Sequence, residues 1–416
     1  MPSVHTMLHS LKVPGFARLA TTYTLNELAD WLATLTLAIL VWDATGNALA
    51  TTALFVAAKL LPALIIPAVA ARLDGRPVAR VLGRAYLAEA FVFGALALAA
   101  DSAFLPLVLA LALLDGTLAA TGRAVTRAAT VAVLEPAGRL REGNALLIVG
   151  FAVMYVGGPA LAAFLVAALG PAAVLAGTAV VFAVLAVLCG LSRDLPAGTQ
   201  NRPATLVALR EGLAYVRQHR ALRTLLSAQA LVILFLAVVT PIEVVYVKEE
   251  LQAGDAGLGV LLASAGAGVL IGSAVFARAR RGALPPLIAF PTVCMGLGYI
   301  GLAVAPSLLV ACLVAGAVGI GNGIQWIAVQ TAVQETTAEE FQARVSGVLE
   351  AIVTGAPGIA FMLGGTITAV FDARTAFAAG GFGVLTVVLL AAAFFLRGRT
   401  RGVAPSPAPA PEPARL

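Results

Sequence analysis

Residues 49–84 read LATTALFVAAKLLPALIIPAVAARLDGRPVARVLGR. The stretch 49–71 is apolar throughout except for Lys59, and it is long enough to cross a hydrocarbon core, which takes about 20 residues. Arg72, Arg76, Arg80 and Arg84 follow in close order. That switch from apolar run to basic loop recurs along the chain. Arg123, Arg127, Arg139 and Arg141 follow the fourth apolar run, and Arg278, Arg280 and Arg281 follow the eighth. Arg193, Arg202, Arg210, Arg217, Arg220 and Arg223 crowd the centre. Threaded from a cytoplasmic start, the runs leave only Lys248 and Arg374 on the far side. Membrane insertion retains positive charge in the cytoplasm, so this bias predicts both orientation and span parity.

Composition agrees. Mean hydropathy is +0.97 with 12% charged residues, whereas a soluble domain carries roughly 25% charge. The pI of about 9.6 follows from the positive-inside bias, with anionic inner-leaflet lipid as its counterpart rather than nucleic acid. Cys189, Cys294 and Cys312 all fall within apolar spans and have no metal-ligand or disulfide spacing. They read as small core residues. His5 and His9 sit at i, i+4 in what reads as a solvated tail. The first span is too long, and too interrupted by acids, for a cleaved signal.

Twelve spans are expected, near 19–41, 49–71, 80–100, 104–124, 144–168, 171–191, 224–246, 257–278, 284–304, 307–333, 345–370 and 375–396. An even count returns both termini to the cytoplasm. Trp42 reads as an outer-interface anchor. The organisation is then a first six-helix bundle over 1–191, a linker over 192–223, a second bundle over 224–396, and a disordered tail over 397–416. In the linker, Leu206, Leu209, Leu213 and Val216 share a helical face flanked by arginines, the pattern of a helix lying on the inner leaflet. The halves match weakly: Ala71-Arg72 against Ala277-Arg278, Glu135 against Glu335, Gly158-Pro159 against Ala356-Pro357. Six plus six with matched halves is a transporter arrangement, with its site near the midplane.

Four stretches together resemble the major facilitator superfamily, and within it the drug-efflux branch that includes macrolide and enterobactin exporters. Ala70-Ala71-Arg72-Leu73-Asp74-Gly75-Arg76 through Arg80 looks like a degraded Gly-x-x-x-Asp-Arg-x-x-x-Arg gating loop. Gly157-Gly158-Pro159 with Ala162-Ala163 is similar to the antiporter motif of the fifth span. Arg210-Glu211-Gly212-Leu213-Ala214-Tyr215-Val216 resembles the segment this branch carries before its seventh span, and Leu25-Asn26-Glu27-Leu28-Ala29-Asp30 its first-span pattern. The resemblance implies an all-α membrane protein in which twelve transmembrane helices form two pseudo-symmetric six-helix bundles, the major facilitator fold. It also implies a monomer, a bacterial inner-membrane location, and a gating contact between halves. Here that contact would involve Asp74, Arg76 and Arg344. One departure concerns coupling: Asp115 stands where the superfamily often buries an arginine, and Arg123 comes about two turns later.

The charges inside spans carry the functional reading. Asp30, Lys59, Glu89 and Asp115 sit about ten or eleven residues from the outer ends of their spans, near the bilayer centre at about 1.5 Å per residue. Glu27 lies one turn nearer the cytoplasm. The second half offers only Glu243, near an outer end, and Glu350, near an inner one. Each central charge costs about 2.5–3.5 kcal/mol on insertion scales, so these residues face one another or an aqueous cavity. An Asp30–Lys59 pair would join the first two spans and still leave acids over. Crowded carboxyls can exchange protons at physiological pH, which makes Asp30, Glu27 and Asp115 candidate proton carriers. Tyr23, Asn26, Lys59 and Glu89, with Asn322, Gln325 and Trp326 from the tenth span, are candidate substrate contacts. Tyr86 and Phe93 flank Glu89 at helical spacing, either as rings facing a cation or as packing. Gly266-Ala267-Gly268 and Gly319-Ile320-Gly321 read as close helix packing, since no strand context supports a phosphate loop.

The expected function is a proton-coupled exporter of a hydrophobic, cationic small molecule, acting by alternating access without cofactor or metal. Two alternatives stay open. One exports a siderophore or other anionic or zwitterionic metabolite with Lys59 as ligand, and the other is a receptor that transports nothing. No nucleophile–base or metal constellation suggests an enzyme.

Overall fold

A computed structural model describes residues 8–65, 76–102, 104–192, 194–195, 204–278 and 283–400. Among them lie twelve helices long and apolar enough to cross a membrane: Phe16–Thr45, Ala48–Ile65, Val78–Ala99, Leu105–Leu134, Glu142–Leu169, Pro171–Gly190, Arg220–Glu250, Asp255–Arg278, Leu284–Ala303, Leu308–Thr336, Arg344–Val370 and Ala373–Ala393. Helices satisfy their own backbone groups, which lipid cannot do. Short turns join the first span to the second and the fifth to the sixth. The first ends at Gly46, whose φ of 55° suits a residue without Cβ, and its N–H bonds to the Trp42 carbonyl at 2.7 Å. Asn47 then caps the second span, accepting from the Leu49 N–H at 2.8 Å.

Apolar side chains fill the inside of the bundle and also cover its outside. Phe91, Leu98, Phe290, Leu309 and Leu389 point outward, where a bilayer would cover them. The eighth and tenth spans lie backbone to backbone. A Cβ at Gly268 would overlap the Gly316 carbonyl, and one at Gly272 would overlap that of Ile320. Gly319 and Gly323 meet Ala265 and Val269 in the same way. The glycines therefore set helix separation, as expected from small-residue packing.

Three expectations need correction. The fourth span does not stop at 124 but runs to Leu134, which puts Arg123 and Arg127 on the helix rather than in a loop. Trp42 is buried inside the protein, so it anchors no interface. The linker helix, Ala204–Gln218, docks on protein: Val216 packs with Val345, Val348 and Leu349 of the eleventh span, and Leu209 joins them. Protein contacts cover this part of the face expected to meet lipid. The last helix continues to Thr400, and the tail 401–416 lies outside the described residues, as do His5 and Asp74.

The halves meet closely towards the face opposite the termini. Lys248, at the end of the seventh span, lies 2.5 Å from Asp43 of the first and 2.7 Å from Asp255 of the eighth. Phe55 and Phe361 pack edge to face at 5.4 Å. A Cβ at Gly365 would run into Thr52, and one at Gly259 would touch the Phe164 ring and the Ala160 carbonyl. Towards the basic face, Arg127 reaches Glu350 across the halves at 3.3 Å.

A buried carboxyl cluster in the first half

Asp30 is the hub. Its Oδ2 and Oδ1 accept from the Lys59 ammonium at 2.8 and 3.0 Å, and Arg123 Nη1 approaches Oδ2 at 3.7 Å. Lys59 arrives from a π-helical turn, Val56–Leu60, in which the Leu61 N–H bonds to the Val56 carbonyl. The wider turn adds a residue to the helix at this point, a distortion that tends to mark functional sites. Gly116 permits the contact behind it, since a side chain there would overlap the Ala58 carbonyl.

Three further acids surround this pair. Glu27 is 3% exposed, Glu89 0% and Asp115 5%. Both Glu89 oxygens, Glu27 Oε1 and Asn26 Oδ1 have no hydrogen-bond donor among the described residues. Arg123 lies within electrostatic reach of Asp30, Glu27, Glu89 and Asp115 together. Four carboxyls thus share two cations, and two negative charges stay uncompensated if all are ionised. Tyr23 is buried on the same face of the first span. Tyr86 and Phe93 pack on Phe182 of the sixth span, at 6.1 and 5.3 Å between ring centroids. They belong to the packing of the first half, the second of the two readings open to them.

The remaining candidates sit apart from this cluster. Gln325 donates to Gln229 Oε1 at 2.6 Å and so ties the tenth span to the seventh, with both side chains buried. Asn322 and Trp326 are half-buried beside it. Arg344 lies 2.9 Å from Glu211 of the linker helix and over the Phe341 ring at 5.0 Å. Arg76 is exposed, and with Arg80 and Arg84 it lines a crevice between the third and fourth spans.

Two residues escape sequence reasoning. Arg123 reads as a loop residue, although no stop signal interrupts the helix before Glu135-Pro136. Glu243 reads as a residue near its span's outer end and draws no role from that position. In the structure it follows a break in the seventh span, the short 3₁₀ turn Thr240–Ile242, and the segment beginning with it touches the first span of the other half.

Comparison with known proteins bears on the family and the fold. The family described as transmembrane secretion effector matches residues 6–414. No curated protein matches the sequence. Among solved structures, a bacterial homologue of the human lysosomal transporter Spinster, inward-facing and unoccupied, is similar with a TM-score of 0.70 at 15% identity, over 96% of this chain and 98% of that one. A bacterial homologue of the iron transporter ferroportin, in an inward-facing state, gives 0.66 at 17%, over 96% and 100%. The nucleoside transporter NupG gives 0.69 at 13%, over 91% and 98%. At these identities the likeness concerns the major facilitator fold.

Proposed function

Because this chain belongs to the transmembrane secretion effector family, we propose that it is a secondary transporter that exports a hydrophobic cationic small molecule in exchange for protons. It would do so by alternating access in a bacterial inner membrane, with both termini in the cytoplasm. The observation that carries the proton part is the imbalance of four buried carboxyls against Lys59 and Arg123. A buried carboxylate without a donor is costly, and a proton removes that cost. Loading and unloading of such protons can bias two arrangements of the halves only if the carboxyls are held differently in each. Asp30 is suited to this role because it touches both cations, so that its protonation would release Lys59 and Arg123 towards Glu27, Glu89 or Asp115. The positive-inside bias supports the orientation, and the closed contacts at Asp43–Lys248 would then lie on the outside.

The test is reconstitution in liposomes with a trapped pH dye, an imposed proton gradient and added lipophilic cations. Substrate-dependent proton flux in the wild type, lost in Asp30→Asn and in Glu89→Gln, is the expected result. Substrate movement without proton flux in the wild type would leave the fold and transport standing but remove proton coupling.

A further inference from the structure

A large organic cation needs an accessible carboxylate, and the first-half cluster does not offer one. Asp30 is engaged by Lys59 and Arg123, while Glu27, Glu89 and Asp115 are enclosed by packed helices. Glu243 is different. It is half-buried, and among the described residues it makes no hydrogen bond or ion pair. The nearby cations towards that face are already taken: Lys248 by Asp43 and Asp255, Arg374 by Glu250. An acid without a partner among the described residues therefore lies where the seventh span meets the first span of the other half.

Two tyrosines lie near it. Tyr155 of the fifth span and Tyr299 of the ninth are both within electrostatic reach of Glu243. Tyr155 meets Trp31 of the first span edge to face at 5.5 Å, with planes at 79°, and the residue stays 44% exposed. Gly158 makes room for that Trp31, since a Cβ there would strike its side chain. A carboxyl near tyrosine rings is an arrangement that can attract a desolvated cation, by charge and by the ring quadrupoles together.

We infer that Glu243, with Tyr155 near it from the other half and Trp31 packed on Tyr155, holds the positive group of the substrate, and that the first-half carboxyls carry protons only. The inference rests on the cation-exporter reading above and divides its two tasks between two places. It also gives the site a means of release. Its acid and Tyr299 belong to one half, Tyr155 and Trp31 to the other, so a rocking motion that separates them weakens binding without any change in charge.

Binding of tetraphenylphosphonium to the purified full-length protein tests this, with neutral triphenylphosphine oxide as the control. Glu243→Gln should weaken tetraphenylphosphonium binding about tenfold or more, a loss of at least about 1.4 kcal/mol. Tyr155→Leu should weaken it severalfold, Glu243→Asp should retain most of it, and the neutral control should hardly respond to either charge variant. Wild-type affinity in Glu243→Gln, with binding lost in Glu89→Gln or Asp115→Asn, would overturn the inference alone and move the cation to the first half. A wild type that binds no tetraphenylphosphonium would overturn the cation-exporter reading, and this inference with it.

Discussion

Lys59 costs the second span an unfavourable insertion and offsets that cost only through Asp30. Removing one partner of a buried pair leaves the other charge stranded, which is worth about 3–5 kcal/mol in a closed interior. Here Arg123 stays at hand, 3.7 Å from the same carboxylate, so the loss should be smaller. Lys59→Met is expected to destabilise the protein by about 2 kcal/mol, and the double variant with Asp30→Asn to regain most of it, as read by thermal unfolding in detergent. The anion-exporter alternative makes a different demand on the same residue, because a Lys59 that served as ligand would have to leave Asp30. The Asp30–Lys59 pair was legible in the sequence, since equal depth on adjacent spans is a matter of counting. Arg123 was not, because an arginine near a basic loop looks the same whether its helix has ended or continues.

At the scale of elements, the eighth and tenth spans show what the glycine strings do. Leucine at Gly268 would require the helices to part, because the atom in the way is the Gly316 carbonyl rather than a side chain that can rotate. Overpacking typically costs about 1–3 kcal/mol, and a backbone obstacle leaves little room for relief. Gly268→Leu is therefore expected to lower the unfolding temperature clearly, while leucine at Gly177, with nothing near its Cβ direction, should be neutral. Comparing the two variants in one melting experiment checks this. The packing role was readable from composition, whereas the partner of each glycine was not: register between non-adjacent spans depends on the whole bundle. The linker helix illustrates the same limit. Leu209 and Val216 announce an apolar face, but periodicity alone does not say whether lipid or the eleventh span will cover it.

For the whole molecule, the contacts that join the halves lie mainly towards one face. Lys248 bridges the first and eighth spans there, through Asp43 and Asp255. Asp43→Asn removes the charge attraction between the halves at that face and keeps the ion pair with Asp255. It should raise cysteine labelling at that face and lower it at the basic face, and unchanged labelling on both would show that packing alone holds the closure. Span count was legible because insertion thickness and charge bias act on every segment alike. The conformation was not, since it is set by small differences between contacts at two faces. The Asp30–Lys59 contact has one more consequence, and it concerns synthesis. As the nascent chain leaves the ribosome, its first span carries Glu27 and Asp30 and is costly to release into lipid by itself, at about 2.5–3.5 kcal/mol for a central acid. The second span follows after the turn at Gly46 and Asn47 with the matching cation, long before Arg123 has been translated. The smallest unit that can leave the translocon cheaply is thus the helical hairpin, and the ion pair at the centre of the carboxyl cluster also eases the chain's entry into a membrane.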